Sequence, residues 1–262
     1  MSDGYEKFVQ LVKNKSGIDL SLYKEAQMRR RLTSLRNKRG FNRFSTYFAA
    51  LEKDEALLEE FVDRMTINVS EFYRNPKRWD VLRDKVLPDL IANKRSLNIW
   101  SAACSSGDEP YSLAIMLKEH YPHTRASILA TDLDEAILHK ASKGIYDESA
   151  LKGLPKHKKS KYFTFEDGHY HVDQQLKSNI TFKKHDLLKD PYPKNLDLIV
   201  CRNVLIYFTD EAKNDIYHGF SESLSPHGIL FVGSTEQIFQ PQNYGLSLYD
   251  TFFYQKSDKT KE

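Results

Sequence analysis

Cysteine is scarce: Cys104 and Cys201 are the two thiols among 262 residues. Each lies in an apolar stretch, outside any Cys-x-x-Cys or Cys/His cluster, which excludes a disulfide framework and predicts no metal site. No apolar run reaches the roughly 18 residues that a membrane helix needs. The opening MSDGYEKFVQ lacks the apolar core and small-residue cleavage site of a signal peptide. A cytoplasmic chain without membrane insertion is therefore expected, and Asn68-Val69-Ser70, which fits a glycosylation pattern, carries no meaning without secretion. Repeats and low-complexity tracts are missing too. Charge of one sign is also short: the formal net charge is +3, too small to imply a nucleic-acid binder by itself. Its distribution says more. Residues 1–78 hold 16 Lys+Arg against 11 Asp+Glu, and the remainder 23 against 25, so positive charge gathers in the first third.

What is present is an ordinary globular composition, 40% hydrophobic and 29% charged, in a chain long enough for two unequal domains. Residues 1–95 read as helical, with breaks at Gly17, Gly40 and Pro76. From Leu22 to Arg39, Met28, Leu32 and Leu35 recur at helical spacing. Arg29 and Arg36 flank that stripe on one side, Arg31 and Lys38 on the other. Further helices are predicted over Phe44–Leu51, Glu55–Met65 and 77–94. From Leu97 the pattern changes to short apolar runs separated by helices. Strands are predicted at Leu97–Ala102, Ser127–Thr131, Ile180–Lys184, Leu196–Cys201 and Ile229–Gly233, and helices at Tyr111–His120, Glu135–Lys143 and Asp210–Leu224. That alternation implies βαβ units and a parallel sheet. Leu248–Gln255 suits a closing edge hairpin. Asp167-Gly168 between aromatic runs marks a second hairpin, placed in a small insertion over 145–180.

The first βα turn, from Trp100 through Cys104, Ser105, Ser106 and Gly107 to Asp108 and Glu109, is where open α/β sheets bind nucleotides. A dinucleotide fingerprint wants three glycines, and here there is one. Acidic Asp108 and Glu109 would repel phosphate and attract the ammonium of an amino-acid ligand, although acidic residues also suit a helix N-terminus as such. Asp132, at the tip of the second strand, is placed to accept ribose hydroxyls, with Asp134 as the cap of the next helix. Together the two acidic sites favour an adenosyl ligand that carries an amino acid.

Three segments, Thr66–Arg74, Trp100–Ser112 and Cys201–Tyr207, closely resemble the hallmark stretches of the chemotaxis receptor methyltransferases, the CheR family. They occur in the family's order, and the resemblance covers nearly the whole chain. It implies an α/β fold: a Rossmann-like class I S-adenosylmethionine methyltransferase sheet with an N-terminal all-helical domain and a small β-hairpin insertion. The implied domains are 1–76 (basic, for receptor docking), a linking helix at 77–94 and the methyltransferase domain at 95–262. The activity implied is transfer of a methyl group from S-adenosylmethionine to glutamate side chains of methyl-accepting chemoreceptors, giving S-adenosylhomocysteine.

Laid onto this sequence, the resemblance implies that Asn68, Ser70 and Arg74 reach the cofactor. Glu109 holds its amino end, Asp132 its ribose, and Asp186 and Leu187 its adenine, while Arg202 and Asn203 line the pocket. Arg74 and Tyr207 are the residues expected at the reaction, Arg74 to position the acceptor carboxylate and Tyr207 to orient it or face the sulfonium. Arg29, Arg30, Arg31, Arg36, Lys38 and Arg39 would dock the acidic receptor helices. Plainer roles compete for several of these: turn or cap for Asn68, Ser70 and Asn203, a solvated charge for Arg74, packing for Tyr207, and a solvated face for the basic helix. An RNA methyltransferase and a non-catalytic S-adenosylmethionine sensor are the rival functions. The enzyme is expected to be monomeric and not to use nucleic acid. Its short Asp167-Gly168 turn, where relatives that grip a receptor's tethering peptide carry a longer loop, predicts independence from such a tether.

Overall fold

The computed structural model describes residues 3–66, 70–92, 94 and 96–257. The chain divides into two compact units, one within Met1–Asn68 and Ile206–Asp215, the other within Val69–Leu205 and Ile216–Glu262.

The first unit is built on helices α1 (Tyr5–Ser16), α2 (Glu25–Lys38), α3 (Phe44–Leu51) and α4 (Glu55–Met65). Local chemistry sets their ends. Asp54 caps α4 by accepting the Leu57 N–H at 3.1 Å, a contact worth about 1 kcal/mol. The Met28, Leu32 and Leu35 stripe is buried, as the periodicity predicts. Phe8 packs against Phe44 and Phe61 with ring centroids 4.9 and 5.9 Å apart, and each such buried side chain contributes roughly 1.5–3 kcal/mol.

Helix α2 starts at Glu25 rather than Leu22 because the residues before it are engaged elsewhere. Leu20–Leu22 form a 3-10 turn, and Tyr23 is extended to make a β-bridge with Phe208. The Lys24 N–H donates to the Tyr207 carbonyl at 2.8 Å, and the Thr209 N–H donates to the Leu22 carbonyl at 2.9 Å. Nothing in the local sequence foretells that residues 206–215 join the helical unit.

The second unit opens with α5 (Pro76–Val81), a wide π-type turn at Leu82–Val86 and α6 (Leu87–Ile91), where one continuous helix is predicted. Pro88 has no N–H to give to the preceding turn, which accounts for the widening there. The chain then runs β1 (Ser96–Ala102), α7 (Asp108–His120), β2 (Arg125–Asp132), α8 (Glu135–Lys143), β3 (Ile145–Tyr146), α9 (Lys156–Tyr162), β4 (Phe163–Glu166), β5 (His169–Val172), α10 (Gln174–Lys177), β6 (Ile180–Lys184), β7 (Leu196–Cys201), α11 (Asp210–Ser223), β8 (Leu224–Val232), β9 (Leu246–Asp250) and β10 (Phe253–Lys256).

Among the described residues, seven strands form the sheet β6-β2-β1-β7-β8-β10-β9. The first five are parallel, with Ile99 of β1 opposite both Ile128 and Leu198, and β10 lies antiparallel between β8 and β9. All six residues of β7 are buried, as expected of a parallel strand covered on both faces. The predicted C-terminal hairpin forms, although β9, not β10, is the edge. Strand β8 begins five residues before the predicted Ile229 through an irregular stretch in which Leu224 still pairs with Leu196. Pro226 and Gly228 hide that pairing in the sequence. The insertion folds as a second sheet, β3-β5-β4. Its hairpin is closed by Asp167 and Gly168, both with positive φ, the geometry of a two-residue turn.

Candidate functional site

Strands β1, β2 and β6 extend the sheet one way and β7 and β8 the other, so the winding reverses between β1 and β7. Ligands of open α/β sheets settle in the crevice at that point, outside the carboxyl ends of the strands. The loop leaving β1 is unusual in its backbone. Ala103, Ser105 and Gly107 are all left-handed, with φ of 60°, 49° and 89°. Each non-glycine there stores on the order of 1–3 kcal/mol and persists only where neighbours over-determine it. Those neighbours are identifiable. The Cys104 N–H donates to the Thr131 carbonyl at 2.8 Å, the Ser105 N–H to Asp132 Oδ2 at 2.8 Å, and the Tyr146 hydroxyl to the Ser106 carbonyl at 2.7 Å. At Gly107 an added Cβ would meet Ala141 and Tyr146 at 3.0 and 3.1 Å, so glycine is required by space as well as by φ.

Carboxylates gather around this loop. Asp132 is buried, and its Oδ1 accepts the Asp134 N–H at 3.1 Å. Burial raises its pKa, while the backbone donors pull it back. Asp134 caps α8 through the Ala136 and Ile137 N–H groups, as its position suggests. Asp108 accepts from the Ser106 hydroxyl at 2.5 Å, and the Ser70 side chain also bonds it; burial again raises its pKa. Glu109 accepts from Ser101 Oγ at 2.8 Å and faces Arg202 across 3.7 Å. Its pKa is raised by desolvation against the pull of the Arg202 charge.

Arg202 is the buried cation of the group. It lies over the rings of Phe231 and Trp79, at 4.8 and 5.6 Å, and donates to the Arg74 carbonyl at 2.7 Å. The Trp79 indole donates to the same carbonyl at 3.0 Å, so the backbone of Arg74 is held twice. The charge of Arg74 is near enough to help lower the Arg202 pKa, behind the larger effect of desolvation. Asn203 is left-handed at φ 62°. Asp186 caps its own turn by accepting the Leu188 N–H at 2.9 Å, and burial raises its pKa. Leu187 is buried, and its carbonyl accepts from the Tyr192 hydroxyl at 2.6 Å.

Ser70, Arg74, Glu109, Asp132, Asp186, Leu187, Arg202 and Asn203 thus all belong to the second unit, whereas Asn68 lies outside the described residues. Tyr207 belongs to the first unit, where the Arg31 guanidinium sits 5.7 Å from its ring centre.

The six cations of the basic helix do not share one fate. Arg36 is turned inward, 7% exposed and 4.4 Å from the centre of the Phe44 ring, so it packs the unit. Arg31 donates to the Met65 carbonyl at 2.7 Å. Arg29 pairs with Asp3 and Glu25, and Arg39 with Glu60. Arg30 and Lys38 are exposed and form no ion pair among the described residues. Periodicity alone does not separate these fates, because what decides them is which neighbour each side chain reaches.

One further buried carboxylate carries no mark in the residue pattern. Glu236 follows β8 and is 5% exposed. It accepts backbone N–H groups from Asn203, Leu205 and Gly233 at 2.6, 2.7 and 2.8 Å. Its partners are main-chain donors, two of them some thirty residues away and Gly233 three, and main-chain groups leave no signature in residue types.

The family model for the CheR methyltransferase SAM-binding domain matches residues 68–251, and that for the CheR methyltransferase all-alpha domain matches residues 3–66. The chain belongs to the CheR methyltransferase family. A chemotaxis protein methyltransferase of Listeria monocytogenes is 46% identical over 254 residues, 97% of each chain. One from Borreliella burgdorferi is 38% identical over 250 residues, 90% of this chain and 88% of that one. The chain is therefore an S-adenosylmethionine-dependent methyltransferase of chemotaxis, with a helical domain before its α/β sheet.

The residues at the sheet's carboxyl edge fit that cofactor chemically. Its amino acid end carries an ammonium and its ribose offers two hydroxyl donors, which suits the buried Asp132 and the largely buried Glu109, whose desolvation is incompletely offset. Ser105 Oγ and Arg202 Nε in this region are among the buried polar atoms with no hydrogen-bond partner in the described residues, which leaves both with bonding capacity for a polar ligand.

Proposed function

We propose that this enzyme methylates glutamate side chains on the cytoplasmic helices of chemoreceptors. The reading is carried by two carboxylates at the switch point of the sheet, the buried Asp132 and the largely buried Glu109, in a chain of this family. Glu109 takes the ammonium of the methyl donor and Asp132 its ribose. Asp186 and Leu187 border the adenine, and Ser70, Arg74, Arg202, Asn203 and Asn68 complete the enclosure. When bound, S-adenosylmethionine supplies a sulfonium methyl that an acceptor oxygen displaces in line, leaving the thioether.

The protein's own work is orientation. A glutamate with pKa about 4.3 is already ionised at neutral pH, so no base is needed, and alignment alone can lower the barrier by several kcal/mol. Arg74 positions the acceptor carboxylate with its planar fork, and Tyr207 orients it. Labelled methyl donor with a receptor cytoplasmic fragment tests this reading. The label should reside on mapped glutamates, leave in mild base and resist RNase. Label on RNA, or affinity for the donor without transfer, overturns it.

Docking falls to the exposed cations of α2, with the enzyme acting in the cytoplasm as a monomer and the helical domain within residues 1–76. Reversing Arg30 and Lys38 to Glu should slow receptor methylation by about tenfold at low salt, leave S-adenosylhomocysteine affinity alone, and flatten the salt dependence of the rate. Unchanged rates at every ionic strength would remove α2 from recognition. The two-residue hairpin turn supports action without a receptor tether, so fragments with and without a C-terminal extension should be methylated at equal rates.

Affinity should also depend on pH in a defined direction. Glu109 and Asp132 hold raised pKa values in the free protein, and an ammonium and hydroxyl donors favour their ionised forms. Binding therefore releases protons, and S-adenosylhomocysteine affinity rises as pH climbs above the ordinary carboxylate range. Titration calorimetry in buffers of different ionisation enthalpy measures the release. Proton uptake, or none across that window, contradicts the assignment.

A further inference from the structure

We infer that Glu236 is a positioning residue for methyl transfer, a clasp that joins the carboxyl ends of β7 and β8 and fixes Asn203 toward the cofactor pocket. The inference rests on the proposed site. Its geometry is specific. Oε2 accepts both Asn203 N–H, at 2.6 Å, and Gly233 N–H, at 2.8 Å, while Oε1 accepts Leu205 N–H at 2.7 Å. Three main-chain donors from two loops thus converge on one carboxylate. Asn203, immediately after the buried Arg202, is left-handed at φ 62°, a conformation asparagine reaches more readily than other non-glycine residues but that still needs some local enforcement to be selected. The carboxylate supplies that enforcement.

A glutamate is suited to this place in a way its neighbours in size are not. An ionised carboxylate is an acceptor at both oxygens, whereas the amide of glutamine must turn an NH2 toward at least one of the three N–H groups. The adjoining glycine is equally constrained. A Cβ on Gly233 would lie 2.4 Å from Glu236 Oε2 and 2.9 Å from Asn203 N, so any side chain there pushes the clasp open. Burial raises the Glu236 pKa, and the backbone donors work against that rise by favouring the ionised form.

The test uses the full chain, the single variants Glu236→Gln, Gly233→Ala and Asn203→Ala and the double variant of Glu236→Gln with Asn203→Ala, with S-adenosylhomocysteine affinity and methyl transfer to a receptor fragment as separate readouts. Glu236→Gln should weaken S-adenosylhomocysteine about tenfold and lower kcat at saturating donor, while KM for the receptor fragment stays as in the wild type. Asn203→Ala added to Glu236→Gln should cost little more than either alone, because both act through the same loop. Gly233→Ala should reproduce the Glu236→Gln pattern while leaving the carboxylate in place, which keeps the inference open to refutation if the glutamine variant does not fold. Wild-type affinity and kcat in both Glu236→Gln and Gly233→Ala would overturn it, as would fully additive losses with Asn203→Ala. A wild type that binds S-adenosylhomocysteine but labels no receptor glutamate would instead sink the substrate assignment, and the affinity and coupling readouts would still decide the clasp.

Discussion

Replacing Asp132 with alanine should reduce affinity for S-adenosylhomocysteine by two to four orders of magnitude while the fold remains. The size follows from what one carboxylate does at this position. Hydrogen bonds to a charged group contribute about 1.5–3 kcal/mol each, and a ribose offers two donors, so roughly 3–6 kcal/mol is at stake, or about 10²- to 10⁴-fold. A second effect adds to it. Asp132 also receives the Ser105 and Asp134 N–H groups, so its loss releases the left-handed loop after β1. Asp132→Asn retains one acceptor oxygen and should fall between. Helix α8 has its own cap in Asp134, so the circular dichroism of Asp132→Ala should match the wild type. Calorimetry showing unchanged affinity in a folded variant would remove Asp132 from the site.

The contrast between Asp132 and Glu236 shows what a sequence can and cannot display. The place of Asp132 at the end of β2, beside the loop after β1, is legible because strand, small-residue loop and acidic strand tip fall in order along the chain, and each leaves a mark in residue type. The same holds for the helices of the first unit, whose apolar spacing and breakers are local, and for the Asp-Gly hairpin. Glu236 left no mark because it binds main-chain groups that every residue carries. The bridge between Tyr23 and Phe208 was hidden for the same reason: backbone pairing across more than 180 positions is set by the tertiary fold. Arg36 illustrates a third limit. Its helical position gave it the same standing as Arg30, and only the neighbouring Phe44 ring determines that one is interior and the other exposed.

The buried pair of Arg202 and Glu109 leads to the second large effect. Arg202→Ala should destabilise the protein by about 3–5 kcal/mol, since removing one partner leaves the other charge buried and uncompensated. For a domain of this size that corresponds to roughly 10 °C in Tm. The pair differs from a surface ion pair because the Arg202 side chain is 3% exposed and that of Glu109 13%. Its charge balance is nonetheless imperfect: desolvation outweighs the Arg202 attraction, so Glu109 keeps a raised pKa. A carboxyl with a raised folded pKa prefers its neutral form in the fold. Its stabilising effect is therefore fullest at acid pH and is lost as pH rises from the unfolded value through the folded one. Without Arg202 that pKa climbs further, and the deficit of the variant should shrink on acidification and grow toward neutrality. Glu109→Gln in the same chain removes the uncompensated charge, so the double variant should recover part of the loss that Arg202→Ala alone incurs. The remainder measures the lost tether to the Arg74 carbonyl and the packing on Phe231 and Trp79. Thermal melts of the four proteins at acid and neutral pH separate these contributions. A deficit that is the same at both pH values and strictly additive with Glu109→Gln would mean that Arg202 serves as a packing residue and leaves the charge of Glu109 to solvent.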